Sequence, residues 1–330
     1  MNWRSAPPRL WRRNGRRGEA VSEALVFYSK ADSADEWISA LRPHLPDLEM
    51  RVAPDVGNPL DVHYAVVWKP PHGFFEPFTN LKLVVNLGAG VDALVSRTDL
   101  PDLPVTRLSD PAMSRMMASF VLMSVLRHAR DIPAFEKAQR EKRWNYVHPR
   151  LAGDIKVGVL GLGELGSAAV LELSLQGFDV RGWSRTQKRL PGIDCRAGME
   201  ALPQFLSECE ILVVMLPLTP ETHHLLNAER LALLPKGAKF VNVARGPIVD
   251  EPALIAALQS GAISEATLDV FEHEPLPQDS PLWEMENVLI TPHLASVAIP
   301  RTAAAQVAQN INRVRSGEPV LNRVDPSRGY

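Results

Sequence analysis

The chain has 330 residues, of which 45% are hydrophobic and 22% charged, with a formal net charge of -2 at pH 7. This composition is typical of a globular protein of two domains and excludes a disordered chain. The small net charge gives no attraction to nucleic acid or to a membrane surface, and no apolar run approaches the roughly 20 residues that span a bilayer. Cys195 and Cys209 are too few for a disulfide framework, so we expect a reduced, cytoplasmic protein that binds no metal.

The start of the chain differs from the rest. Six arginines precede the first acidic residue, Glu19, and Pro7, Pro8 and Gly15 interrupt any periodic pattern. We predict that residues 1–20 form a disordered basic tail. A targeting segment is the alternative, and a natural start near Val21 would make the tail a gene-boundary artefact.

Beyond the tail, short apolar runs alternate with helix-like stretches, a pattern that favours parallel α/β architecture. The predicted strands are Ala24–Tyr28, Tyr64–Trp68, Leu83–Asn86, Ile155–Leu160, Phe178–Trp183, Ile211–Leu216, Lys239–Val243, Ala266–Val270 and Val288–Ile290. The predicted helices are Asp35–Leu41, a long helix starting at Asp110-Pro111, Glu164–Gln176 and Arg301–Arg315. Asp before Pro at the long helix is a helix-start signal.

A glycine-rich turn follows the strand Ile155–Leu160. Gly161, Gly163 and Gly166 form a GxGxxG sequence that opens a helix. In this context the first glycine permits a tight turn, the second lets backbone amides approach a pyrophosphate, and the third lets helix and strand pack closely. The helix N-terminus then faces the phosphate charge. We therefore predict a dinucleotide site.

The end of the next strand indicates which dinucleotide binds. NAD sites usually carry an acidic residue there, about 20 residues after the glycines, to hold the ribose 2′-hydroxyl. The segment 181–188 has no acid and offers Ser184, Arg185 and Lys188. A hydroxyl, a guanidinium and an ammonium suit a 2′-phosphate. We predict that NADP(H) is preferred and leave use of NAD(H) open.

Three further strand ends carry side chains suited to catalysis. Arg245 follows the strand Lys239–Val243, Glu274 lies beyond Ala266–Val270, and His293 follows Val288–Ile290. In a parallel sheet these ends share one edge, where ligands bind. An arginine can hold the carboxylate of a 2-oxoacid, and a histidine beside a carboxylate can deliver a proton to the new alkoxide. Together they predict reduction of a 2-oxoacid.

At this point the chain resembles the D-isomer-specific 2-hydroxyacid dehydrogenase family, and within it the bacterial glyoxylate/hydroxypyruvate reductase A group, from about Ala24 to Tyr330. The motifs are Val67-Trp68-Lys69-Pro70-Pro71, Leu87-Gly88-Ala89-Gly90-Val91-Asp92, the glycine-rich turn, Gly182-Trp183-Ser184-Arg185, Ala244-Arg245-Gly246, Leu268-Asp269-Val270-Phe271, Glu274-Pro275-Leu276-Pro277, Thr291-Pro292-His293 and the closing Val324–Tyr330. Lys69 departs from the pattern, because related sequences often carry another polar residue there, so the charge at the pocket rim differs.

The resemblance implies a role for each candidate. Arg245 would bind the substrate carboxylate and carbonyl, His293 would donate the proton with Glu274 as its partner, and Asp269 would bind the nicotinamide carboxamide. The predicted substrate-binding residues are Trp68, Leu87, Gly88, Ala89, Gly90, Arg245 and His293. The predicted cofactor-binding residues are Gly161, Gly163, Glu164, Leu165, Gly166, Ser184, Arg185, Lys188, Leu216, Pro217, Ala244 and Asp269.

The resemblance also implies two doubly wound parallel-sheet domains. A flavodoxin-like substrate domain would comprise residues 21–110 and 297–330, and a Rossmann dinucleotide domain would comprise residues 111–296 and form a homodimer. The expected reaction is NADPH-dependent reduction of glyoxylate or hydroxypyruvate. The same chemistry on a bulkier 2-oxoacid, and a dinucleotide-sensing regulatory protein, remain as alternatives.

Overall fold

A computed structural model describes residues 23–325, which contain two parallel sheets. The first sheet has the strand order β2-β1-β3-β4-β5 and the second has the order β12-β11-β10-β9-β6-β7-β8. The strands are β1 Ala24–Tyr28, β2 Glu49–Val52, β3 Val62–Val67, β4 Leu83–Asn86, β5 Val105–Arg107, β6 Lys156–Leu160, β7 Asp179–Ser184, β8 Asp194–Ala197, β9 Ile211–Val214, β10 Ala238–Asn242, β11 Ile263–Leu268 and β12 Val288–Ile290. The first order is that of flavodoxin-like folds, and the second is that of a Rossmann fold with one added strand, so the predicted fold class is confirmed.

Helices cover the sheets and connect the strands. They are α1 Ala34–Leu41, α2 Asp92–Val95, α3 Pro111–Ala129, α4 Ile132–Arg140, α5 Glu164–Leu175, α6 Leu202–Ser207, α7 Ala228–Leu231, α8 Glu251–Ser260 and α9 Pro300–Arg315. Asp110 caps α3, where its side chain accepts a hydrogen bond from the Ala112 N–H. The predicted start of this helix is therefore confirmed, with proline at its first position.

Strand prediction succeeded in the interior of the sheets and failed at three of their edges. The interior strands β1 and β4 and the edge strand β12 have the predicted bounds, whereas the other edge strands, β2, β5 and β8, were not predicted. The predicted strand Ala266–Val270 begins earlier, at Ile263, and ends at Leu268. It ends there because the next residue, Asp269, turns its carboxylate back onto the loop after β12.

The last helix returns to the first sheet. α9 packs against α1, and Ala303, Val307 and Ile311 lie in one apolar core with Leu25 of β1. This arrangement accords with a discontinuous substrate domain, whose boundaries remain a prediction. Between residues 23 and 325 no helix is both long enough and apolar enough to cross a bilayer. The predicted tail, residues 1–20, lies outside the described range.

Candidate active site

Arg245 lies in a turn at the carboxyl end of β10 that the buried side chain of Asn242 shapes. The Asn242 side-chain oxygen accepts a hydrogen bond from the Ala244 N–H at 3.1 Å, and its amide donates to the Arg245 carbonyl at 3.2 Å. A β-carbon on Gly246 would lie 1.9 Å from the Phe271 backbone, so only glycine lets this turn approach the loop after β11. The turn directs the Arg245 side chain across to the first sheet.

The Arg245 guanidinium is fixed on two sides. Its Nε donates to Asp92 Oδ1 at 2.9 Å, and its Nη1 donates to the Ala244 carbonyl at 2.7 Å. A β-carbon on Gly90 would lie 1.8 Å from Nη2, so the glycine makes room for the guanidinium. A guanidinium already held by two hydrogen bonds is suited to binding a carboxylate, because little further side-chain freedom is lost on binding.

Glu274 and His293 form a hydrogen-bonded pair. His293 Nδ1 lies 2.9 Å from Glu274 Oε2 and 3.1 Å from Oε1. Burial raises the pKa of Glu274, but the hydrogen bond from His293, the charges of His293 and Lys69 and the Phe271 N–H together lower it below its usual value. An ionised Glu274 can only accept, so His293 Nδ1 carries a hydrogen. His293 Nε2, which has no hydrogen-bond partner within residues 23–325, remains for a substrate.

Asp269 is almost fully buried and holds the loop that carries His293. Its Oδ1 accepts from the Thr291 hydroxyl at 2.6 Å and the Leu294 N–H at 2.9 Å, and its Oδ2 accepts from the Ala295 N–H at 2.9 Å. The His293 N–H also donates to the Asp269 carbonyl at 2.8 Å. The contact with a nicotinamide carboxamide remains a prediction, whereas the role in placing His293 is visible in these bonds.

The predicted substrate-binding turn follows β4. Asn86 holds it by donating to the carbonyls of Gly88 and Gly90 at 3.0 and 2.9 Å. Leu87 is buried and its N–H donates to the Val67 carbonyl, so neither its side chain nor its amide is free for a substrate. The amides of Gly88, Ala89 and Gly90 form no hydrogen bond with any residue in the described part of the chain. They are the donors that this turn can offer to an anion.

The indole of Trp68 lies against this turn. A β-carbon on Gly88 would lie 2.5 Å from the Trp68 ring, so this glycine is required by the close approach of the indole. The ring thereby lies beside the turn that carries the candidate amides, and its contact with a substrate remains a prediction.

The glycine-rich turn has the geometry that a dinucleotide requires. Gly161 has φ of 112°, and a β-carbon there would lie 2.6 Å from the Met215 carbonyl oxygen. A β-carbon on Gly166 would lie 1.9 Å from the Gly161 oxygen, whereas nothing lies within 4 Å of the same position at Gly163. The first and third glycines are therefore needed for the turn and for helix packing, and the second leaves open space at the N-terminus of α5. These residues fit a bound pyrophosphate.

The other predicted cofactor residues lie at the start of α5 or at and beyond the carboxyl ends of β7, β9 and β10. Ser184 is buried and donates to the Thr186 carbonyl at 2.8 Å, while Arg185 and Lys188 lie on the exposed loop after β7. Glu164 is exposed at the first position of α5, and its carboxylate accepts from the Ser109 hydroxyl at 2.5 Å. Leu165 and Leu216 are partly or fully buried, Pro217 is exposed, and Ala244 is buried beside Arg245.

Sequence reasoning missed three residues that shape the site. Asp92 binds Arg245, although no role for it follows from its place in the sequence. The side chains of Asn86 and Asn242, at the ends of two strands, hold the two turns that carry the candidate amides and Arg245. An asparagine at the end of an otherwise apolar strand is the signal that would have identified both, because a buried amide requires partners.

A family model described as D-isomer specific 2-hydroxyacid dehydrogenase, NAD binding domain, matches residues 122–295. A glyoxylate/hydroxypyruvate reductase A from Serratia proteamaculans is 38% identical over 93% of this chain and 99% of its own.

Two solved structures are similar to this chain over nearly its whole length. A D-isomer specific 2-hydroxyacid dehydrogenase from Xanthobacter autotrophicus Py2, in complex with NADPH and MES, is 70% identical over 94% of this chain and 100% of that one, with a TM-score of 0.91. An NADPH-dependent glyoxylate/hydroxypyruvate reductase from Sinorhizobium meliloti, in complex with NADP and sulfate, is 34% identical over 93% of this chain and 100% of that one, with a TM-score of 0.88. The resemblance read from the motifs is confirmed, and the chain belongs to the D-isomer specific 2-hydroxyacid dehydrogenase family.

Proposed function

We propose that this enzyme reduces small 2-oxoacids, glyoxylate and hydroxypyruvate first among them, with NADPH as the preferred cofactor. The observation that carries the proposal is the convergence of a fixed guanidinium, Arg245, and a Glu274–His293 pair at adjacent strand ends. The names of the Serratia and Sinorhizobium relatives support the same substrates.

Each residue in this set has a separate task. Arg245 and the amides of Gly88–Gly90 bind the substrate carboxylate and polarise its carbonyl oxygen. His293 donates the proton from Nε2 to the oxygen that becomes the alcohol, and Glu274 stabilises the charged imidazole before that transfer. NADPH, held at the glycine-rich turn and by Ser184, Arg185 and Lys188, supplies the hydride when bound.

The NADPH preference is supported by the loop after β7. No acidic residue stands at the end of this strand, and Arg185 and Lys188 are exposed beside it. Exposed cations at this position suit a 2′-phosphate dianion. The solved relatives from Xanthobacter and Sinorhizobium contain NADPH and NADP, respectively.

Oxidation of NADPH and of NADH by the purified protein tests this function. Glyoxylate, hydroxypyruvate, pyruvate and phenylpyruvate are supplied in turn. We expect rapid NADPH oxidation with glyoxylate and with hydroxypyruvate. Turnover of phenylpyruvate alone would support the reaction but refute the preference for small 2-oxoacids, and no turnover with any of the four would leave the regulatory alternative.

We infer in addition that the protein is a homodimer. Residues 144–151, between α4 and β6, form neither helix nor strand. Within this segment Trp144, Tyr146 and Leu151 are 96, 77 and 75% exposed. Several large apolar side chains exposed within one short segment favour an interaction surface there. A second copy of the same chain is the partner that the family resemblance favours.

A further inference from the structure

Lys69 reaches from the first sheet to the candidate catalytic pair on the second. It follows β3, and its ammonium lies 3.5 Å from Glu274 Oε2, the oxygen that also accepts the 2.9 Å hydrogen bond from His293. One carboxylate oxygen is therefore shared between an imidazole on its own domain and a cation from the other sheet. The same ammonium lies 5.7 Å from the centroid of the Trp68 ring.

The backbone at Lys69 is held in a conformation that side chains seldom adopt. Its φ is 43°, in the left-handed region, and such a residue persists only where its surroundings fix it. Arg97 holds the residues that follow Lys69, because it donates hydrogen bonds to the Pro70 carbonyl at 2.5 Å and to the Pro71 carbonyl at 2.7 Å. Asp99 binds Arg97 and accepts the Gly73 N–H at 2.7 Å. The loop that carries Lys69 is thus built to hold one position.

We propose that Lys69 is a positioning residue, which acts through Glu274 to keep that carboxylate ionised and aligned with His293. The inference rests on the proposed role of His293 as the proton donor. Lys69 is half exposed, with 50% of its side chain accessible, so its field is partly screened by water. Its effect is therefore expected to be a shift in proton affinity and a partial loss of turnover, in contrast to the large loss expected for a proton donor.

The sign of the effect follows from charge. A cation beside the Glu274–His293 pair disfavours proton binding by the pair, so its removal raises the proton affinity of both groups together. Other ionisable groups around these strand ends include Arg245 with Asp92, Asp269, His273, His224 with Glu272, and Glu251, which accepts the Glu272 N–H. The Lys69 substitutions leave all of these in place, so a change in pH dependence is attributable to the lost ammonium.

The experiment compares Lys69→Met, Lys69→Arg and the unaltered enzyme in steady-state reduction of glyoxylate by NADPH across pH. Lys82→Met is the matched control, because Lys82 is also 50% exposed and lies 3.8 Å from a glutamate, Glu23, away from the candidate site. In the plot of kcat/KM against pH, we expect both the rising and the falling limb of Lys69→Met to move to higher pH by about 0.5 unit. kcat should fall about three- to tenfold with little change in KM. Lys69→Arg should restore both, and Lys82→Met should change neither.

A second readout needs no turnover. Proton NMR of the histidine rings, with the His293 resonance assigned by its loss in His293→Asn, should give a titration midpoint about 0.5 unit higher in Lys69→Met. An unchanged midpoint and unchanged limbs in Lys69→Met would overturn the inference. So would a rise in KM alone, which would make Lys69 a substrate-binding residue. If the unaltered enzyme reduced no 2-oxoacid, the proposed function would fail, and the NMR titration would still decide the influence of Lys69 on the pair.

Discussion

The backbone at His293 has φ of 55°, in the left-handed region that a β-carbon disfavours. Hydrogen bonds from the Leu294 and Ala295 amides to Asp269 hold the loop in this shape. An unfavourable backbone conformation at a candidate catalytic residue indicates that the surrounding structure holds the residue in place. Here it orients the imidazole so that one nitrogen contacts Glu274 and the other is left for a substrate. A test of the ring's chemistry must therefore preserve the backbone.

Asparagine satisfies that condition, because it tolerates left-handed φ better than most residues. We expect His293→Asn to lower kcat by roughly 10² to 10⁴ if His293 is the general acid, with the melting temperature within a few degrees of the unaltered protein. Stopped-flow or steady-state NADPH oxidation and calorimetry measure the two quantities. His273→Asn, an exposed histidine beside Glu274, is the control and should retain activity. Near-normal turnover in His293→Asn would remove it from the role of proton donor.

Arg185 is the residue that we predict selects NADPH over NADH. It stands on the exposed loop after β7, and its charge lowers the pKa of Glu221, after the hydrogen bond from Thr219 and a backbone hydrogen bond. Arg185→Ala should raise the KM for NADPH about ten- to hundredfold and leave that for NADH nearly unchanged, since only NADPH carries the 2′-phosphate. Arg189→Ala, an exposed arginine on the same loop, is the matched control. Equal losses with both cofactors would contradict the assignment.

Among the elements, the sequence was informative where strands are buried on both faces. β1 is a buried apolar run and β4 is apolar up to Asn86, each has a neighbouring strand on both sides, and their bounds were predicted correctly. β2 and β8 lie at sheet edges and carry Glu49, Arg51, Asp194 and Arg196. Edge strands need pairing on one side only and tolerate charge, so their sequences lack the periodicity on which the predictions depended.

The same limit applies to the candidate site. Arg245, Glu274 and His293 were predicted because each follows an apolar strand in the chain. The contacts of Arg245 with Asp92 and of Glu274 with Lys69 join residues of different sheets. Neither contact follows from spacing along the sequence, because each depends on how the two sheets face each other. Composition gave no information on that arrangement.

The contacts of Asp99, which hold the loop that carries Lys69, offer a test of stability at the scale of an element. The hydrogen bond from Arg97, and then that from the Gly73 N–H and the nearby charges, lower the pKa of Asp99 to about 2 against the opposing effect of burial. The folded protein favours the ionised carboxylate of Asp99. The contribution of Asp99 to the stability of the fold is therefore complete above the ordinary aspartate pKa of about 4 and is lost as the pH falls toward 2.

Asp99→Asn should therefore lower the free energy of unfolding by about 2 kcal/mol at pH 7, with the difference shrinking as the pH approaches 2. Urea unfolding at several pH values measures it. Asp102→Asn, an exposed aspartate on the same connection, is the control and should change stability by about 0.5 kcal/mol or less. A loss that stayed constant with pH would show that Asp99 acts by packing alone.

At the scale of the whole molecule, two ion pairs connect the sheets around the candidate site. Arg245 contacts Asp92 at 2.9 Å and Lys69 contacts Glu274 at 3.5 Å. In each pair one partner is a candidate catalytic residue and the other comes from the opposite sheet. The positions of the groups that would bind and protonate the substrate therefore depend on contacts with residues from the first sheet's side of the site.

The proposed dimer is the second property of the whole molecule. If the segment 144–151 packs against a second copy, Trp144 becomes a buried aromatic anchor, and such residues contribute most of the binding energy of an interface. Trp144→Ser should therefore weaken self-association by about 2 kcal/mol or roughly 30-fold, measured by analytical ultracentrifugation or light scattering over a dilution series. Leu175→Ser, an apolar residue 81% exposed at the end of α5, is the control and should leave the mass unchanged. A monomeric unaltered protein would refute the dimer directly, whereas a dimer insensitive to Trp144→Ser would place the interface on another face of the chain.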